Sequence, residues 1–107
     1  MTILETPIKY RKQKKMSFTE QSISTITQSS FGYTLNEITE LNKASREELY
    51  TLWQYLRFNG MLLKDIAKTF GRSDSGISYG IEQFENLYAA NDIKMITAYK
   101  QLMEVVG

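Results

Sequence analysis

The stretch LKDIAKTFGRSDSGISYGIEQF, residues 63–84, places three residues at the spacing that two short crossing helices require. Ala67 stands where the helices approach most closely, and a larger side chain there would push them apart. Four residues later Gly71 occupies the turn, where a positive φ is wanted and a Cβ would be strained. Six residues beyond, Ile77 is the apolar anchor by which the second helix packs on the first. Ile66 and Phe70 fill the space between. The stretch therefore predicts a helix from Leu63 to Phe70, a tight turn, and a second helix starting near Ser73 or Ser75. This is the spacing of a helix-turn-helix; the plainer reading is a helical hairpin inside a small bundle.

Working outward, the flanking segments also read as helices. Toward the N-terminus, Leu49, Leu52, Trp53 and Leu56 fall at i, i+3, i+4 and i+7, which predicts a helix from about Arg46 to Phe58, stopped by Asn59-Gly60. A short helix is expected before it with Leu35, Ile38 and Leu41 inside, reached through a Phe31-Gly32-Tyr33 turn. A first helix is expected from about Phe18 to Ser30, burying Phe18, Ile23 and Ile26. Three Ser/Thr-x-x-Glu capping boxes support these starts: Ser17 with Glu20, Thr34 with Glu37, and Ser45 with Glu48. Toward the C-terminus, the second helix of the hairpin should turn Ile77, Ile81, Phe84 and Tyr88 inward. Asn91-Asp92 then cap a last helix with Met95, Tyr99, Leu102 and Val106 on one stripe. Trp53 lies on the buried stripe of its helix, and Tyr50, Tyr55 and Tyr99 read as packing residues with wet hydroxyls. No segment alternates as a strand would. The fold class expected is all-α: a small multi-helix domain with a central helix-turn-helix.

The chain of 107 residues suits a single domain, and 42% hydrophobic with 23% charged residues is ordinary for a globular protein. Cysteine and histidine are both absent, which removes disulfides, thiolate nucleophiles, zinc-finger ligand sets and the usual proton shuttle near neutral pH. No nucleophile–base pair or metal set is visible, so neither an enzyme nor a bound metal or cofactor is expected. No stretch is long or apolar enough to span a bilayer, and residues 1–16 lack the apolar run of a secretory signal, so a cytoplasmic protein is expected. Charge is distributed unevenly. Lys9, Arg11, Lys12, Lys14 and Lys15 lie together with no acid among them, and residues 1–16 read as a flexible basic arm. The arm holds five of the thirteen basic residues and one of the twelve acids, so residues 17–107 carry eight basic and eleven acidic side chains, a net of −3.

Asp65-Ile66-Ala67-Lys68-Thr69-Phe70-Gly71-Arg72, followed by Ser75-Gly76-Ile77, resembles the signature of the C-terminal DNA-binding domain of the bacterial chromosomal replication initiator DnaA, a member of the Trp-repressor-like superfamily. The family's hairpin reads approximately L-x-x-I-x-x-x-F-G-x-R-D-H-T-T-V. The order of the helices around it is similar too, so the resemblance covers about residues 18–105. It implies an all-helical domain whose recognition helix enters the major groove. Aligned on Phe70-Gly71 and Ile77, the family's base-reading Asp-His-Thr-Thr tetrad is replaced by Ser73, Asp74, Ser75 and Gly76. Glu82 stands where the family tends to carry basic residues. The phosphate-loop motif of the family's ATPase domain does not occur in this chain, so no nucleotide is expected.

On these readings the expected partner is duplex DNA. Ser73, Ser75, Ser78, Tyr79 and Glu82 are the candidate base readers, Glu82 only if it accepts from a cytosine amine. Asp74 reads better as a first-turn acid facing the positive end of the helix dipole. Lys64, Lys68 and Arg72 are candidate phosphate contacts, and Lys43 and Arg46 lie where the initiator family places a basic loop. The five arm cations would add phosphate neutralisation. The alternative is an adaptor that keeps the fold, has lost specific DNA binding and holds a protein partner, as the net −3 body and the acids Asp74 and Glu82 suggest. The final helix could be a homodimer surface or a lid on the core.

Overall fold

The computed structural model describes residues 17–107; the five arm cations lie outside the described residues. Among the described residues six helices follow one another: α1 (Glu20–Phe31), α2 (Leu35–Leu41), α3 (Arg46–Phe58), α4 (Leu63–Phe70), α5 (Asp74–Ala89) and α6 (Ile93–Val106). Among the described residues there is no strand, and the fold is all-α as expected. No described helix is long and apolar enough to cross a membrane.

Local chemistry accounts for most helix ends. Thr34 and Ser45 accept from the amides of Glu37 and Glu48, whose carboxylates reach back to the cap amides at 2.9 Å, so both expected boxes form. The first box does not. Thr19, not Ser17, caps α1, exchanging hydrogen bonds with Ser22 at 2.9 and 3.0 Å. Starting later leaves Phe18 outside the helix. There it stands three positions before Gln21 and one before the cap, at the N′ position of a hydrophobic staple whose N4 partner is Ile23. The Phe18 ring meets Tyr55 edge-on at 6.1 Å. Capping energy is similar at either hydroxyl, and this apolar docking favours Thr19. At the other end α1 runs one residue past Ser30, to Phe31, and closes at Gly32.

Two inward assignments are overturned. Leu41 is 63% exposed. Steps of three in a helix drift about 60° each, so Leu41 lies about 120° round from Leu35, outside the face that buries Leu35 and Ile38. Tyr88 is exposed as well: it lies near the C-terminal end of α5, where its ring stacks on Phe84 and meets Tyr99. The buried face of α5 is built from Ile77, Gly80 and Phe84 instead.

α3 is the central element and packs on α4, α5 and α6. It buries Leu49, Thr51, Leu52, Trp53, Tyr55 and Leu56. Two buried hydroxyls are satisfied internally. Thr27 donates to the carbonyls of Tyr33 at 2.7 Å and Ser24 at 3.0 Å, while the Leu35 amide donates to the Ser24 hydroxyl at 3.0 Å, so α1 and α2 are pinned at their corner. Thr51 donates to Met95 Sδ at 3.3 Å, tying α3 to α6. The last helix thus lies on the core, with Met95, Ala98 and Leu102 buried.

Candidate nucleic-acid interface

The hairpin begins with α4, whose buried face is Ile66, Ala67 and Phe70. Ala67 is 3% exposed and Ile77, across the turn, is 0% exposed. Gly71 adopts φ +66°, the left-handed region that disfavours a Cβ. From that geometry the Arg72 amide donates to the Ala67 carbonyl at 2.9 Å and the Gly71 amide to that of Lys68 at 3.3 Å. This paired closure is a Schellman motif, which satisfies carbonyls that would otherwise be orphaned at the end of α4. The chain is redirected within Gly71-Arg72-Ser73 and α5 starts at once.

Ser73 is the cap of α5. Its hydroxyl accepts from the Gly76 amide at 3.0 Å and lies 3.3 Å from the Ser75 hydroxyl. Helix initiation therefore engages one of the five candidate base readers. Ser75, Ser78, Tyr79 and Glu82 are exposed along α5, opposite the buried Ile77, Gly80 and Phe84. Asp74 occupies the first turn, where its charge suits the helix dipole.

The seating of α5 depends on a residue the sequence did not single out. A Cβ at Gly80 would lie 2.6 Å from Trp53 Cε3 and 2.8 Å from Tyr50 Cδ1. Glycine is what lets α5 lie directly on α3. Its sequence signal is its place inside a helix, where it costs about 1 kcal/mol against alanine and so usually marks a close approach. Trp53 in turn meets Phe70 edge-on at 5.9 Å. Its outer face is covered by Arg72, whose guanidinium carbon is 5.4 Å from the ring centroid. That cation–π contact, worth about 0.5–1 kcal/mol at a surface, holds Arg72 at the head of α5. Tyr79 is 56% exposed, and its ring packs edge-on against Tyr50 at 6.4 Å, so an aromatic surface continues from α5 onto α3.

The other candidate cations are spread wider. Lys64 and Lys68 are exposed one turn apart on α4. Lys68 borders a groove that Asp65 and Glu20 also line. Arg46 donates to Glu47 at 3.1 Å. That hydrogen bond and the charge of Glu47 hold its pKa above the ordinary guanidinium value, with smaller contributions from Tyr50 and Asp92. Arg46 thus carries a compensated charge, and Lys43 is exposed in the loop before it. Arg72 is the cation that the fold places directly beside the exposed face of α5. No group of three or more acidic, histidine or cysteine side chains among the described residues could hold a metal ion.

The fold and this surface define an all-helical domain that presents an exposed polar helix face from a tight hairpin. No protein-family model, curated protein or solved structure matches the chain.

Proposed function

We propose that this chain binds duplex DNA, with α5 entering the major groove and Arg72, Lys64 and Lys68 contacting phosphates beside it. The observation that carries this reading is the pairing of a rigidly seated α5 with an N-terminal half that exposes Ser75, Ser78 and Tyr79. Helix-turn-helix proteins read bases from the first turns of the second helix, while the first helix crosses the backbone. Hydroxyls suit base edges and phosphates alike. Arg72, already oriented over Trp53, needs little ordering to meet a phosphate. The five cations of residues 9–15 offset the acidic body and supply the sequence-independent part of the affinity. The resemblance to the DNA-binding domain of the replication initiator points the same way. On this reading the chain is a cytoplasmic regulator of transcription or replication.

The exposed carboxylates of Asp74, Glu82 and Glu85 favour a second reading, in which the same face of α5 holds a protein partner. Fluorescence-anisotropy titration of random-sequence duplex at several salt concentrations separates the two. DNA binding gives an affinity that falls steeply with salt. Arg72→Ala should weaken it about fivefold and lower the salt slope by about 1, and replacing the five cations by glutamine should flatten the slope further. Absence of duplex binding at low salt refutes the DNA reading and leaves the adaptor.

A further inference from the structure

Resting on the DNA reading above, we propose that Glu82 makes the chain select cytosine at one position of its binding site. Glu82 shares the exposed face of α5 with Ser75, Ser78 and Tyr79, spaced i, i+3, i+4 and i+7 from Ser75. Seven residues at 1.5 Å rise place it about 10 Å along the helix from Ser75, a reach of about three base pairs. Among the described residues its carboxylate forms no hydrogen bond and no ion pair; the one ion pair there is Arg46 with Glu47. Its neighbours one turn away, Ser78, Tyr79, Glu85 and Asn86, bring no cation. The carboxylate is therefore free to take a partner from whatever the face meets.

In the major groove the choice of partner is narrow. A carboxylate only accepts, and guanine presents two acceptors there, N7 and O6. Adenine sets an acceptor, N7, beside its N6 donor, and thymine offers an acceptor and a methyl group. Cytosine presents its N4 donor with no acceptor of its own on that edge, so it is the base that a carboxylate prefers. The rest of the face sharpens the point. From Asp74 to Ile81, α5 carries no arginine, lysine, asparagine or glutamine, the side chains that read guanine or adenine through two bonds. Serine hydroxyls pair with any base, which leaves Glu82 as the discriminating group among Ser75, Ser78, Tyr79 and Glu82; Asn86, exposed one turn further on, is a separate group able to read adenine.

The test uses the full chain and its Glu82→Gln and Glu82→Ala variants. A preferred site is selected from a randomised duplex pool, and anisotropy then compares the four bases at each of its positions. The wild type should favour cytosine at one position by about fivefold or more, Glu82→Ala should bind all four bases alike there, and Glu82→Gln should turn the preference to adenine. The proposal is overturned if both variants bind every duplex more tightly by a common factor with base preferences unchanged, since the carboxylate would then only repel phosphates. It is equally overturned if the wild-type preference survives in both variants. A wild type that binds no duplex even at low salt gives a different result, the failure of the DNA reading itself, and the inference falls with it.

Discussion

Replacing Gly80 by alanine should destabilise this domain even though alanine is the better helix former. The added Cβ would sit 2.6 and 2.7 Å from Cε3 and Cζ3 of Trp53 and 2.8 Å from Cδ1 of Tyr50. Carbon atoms ordinarily rest about 3.5–4.0 Å apart, so the shortfall is about 1 Å against two rings at once. Overpacking of this kind costs about 1–3 kcal/mol, less where the neighbour can move. Trp53 has little room to move: it is buried, with Phe70 at 5.9 Å and Arg72 across its face at 5.4 Å. The clash therefore belongs near the top of that range, about 3 kcal/mol, against a propensity gain of about 1 kcal/mol. The net loss is about 2 kcal/mol, or roughly 10 °C in Tm for a domain of this size. Urea denaturation followed by circular dichroism measures it. The cause is isolated by repeating the substitution in a Trp53→Phe background, because phenylalanine lacks the second ring that carries Cε3 and Cζ3. There the loss should shrink by at least about 1 kcal/mol, a coupling typical of residues in direct contact. A Gly80→Ala protein as stable as the wild type, or an equal loss in both backgrounds, refutes the packing argument.

The structure makes three further predictions. Thr19→Ala should cost about 1 kcal/mol by thermal denaturation and Ser17→Ala under about 0.5 kcal/mol, because Thr19 caps α1; the reverse order would restore the Ser17 box. Thr27→Val, nearly identical in shape, should cost about 1–3 kcal/mol, since it leaves the part-buried Tyr33 carbonyl without its 2.7 Å donor. A loss within about 0.5 kcal/mol in urea denaturation would show that the bond contributes little. Burial pushes the Tyr55 phenol above its ordinary pKa of 10.0, so the fold favours the protonated ring. Its stabilising effect is complete below pH 10.0 and is lost as pH rises through the higher folded value. Tyr55→Phe should accordingly flatten the alkaline fall in Tm, and an unchanged fall would assign it to other groups.

The hairpin was legible because its requirements are local. A small residue at 67, glycine at 71 and an apolar anchor at 77 are constraints within one turn and its two helices, and the left-handed Gly71 follows from them. Thr34 and Ser45 were readable for the same reason, since a capping box closes within four residues. Ser17 failed because two hydroxyls competed for one helix start, and the choice turned on the docking of Phe18 against Tyr55, thirty-seven residues away. Leu41 failed because an i, i+3, i+6 pattern resembles a stripe while it drifts off the face.

The candidate surface divides in the same way. That Ser75, Ser78, Tyr79 and Glu82 share one face follows from helical periodicity alone. That Ser73 is engaged as a cap while Arg72 lies over Trp53 does not, because it depends on where the ends of α4 and α5 meet α3. The amino-acid sequence by itself determined the six helices, the tight turn at Gly71 and the polar face of α5, since hydrogen bonds, caps and 3.6-residue periodicity operate over a few residues. The close seating of α5 on α3 through Gly80, the burial of Thr27 and Thr51 and the placing of Arg72 were settled by tertiary packing. Excluded volume between rings on different helices has no counterpart in the local sequence, and a buried hydroxyl is tolerated only where a distant segment brings it an acceptor.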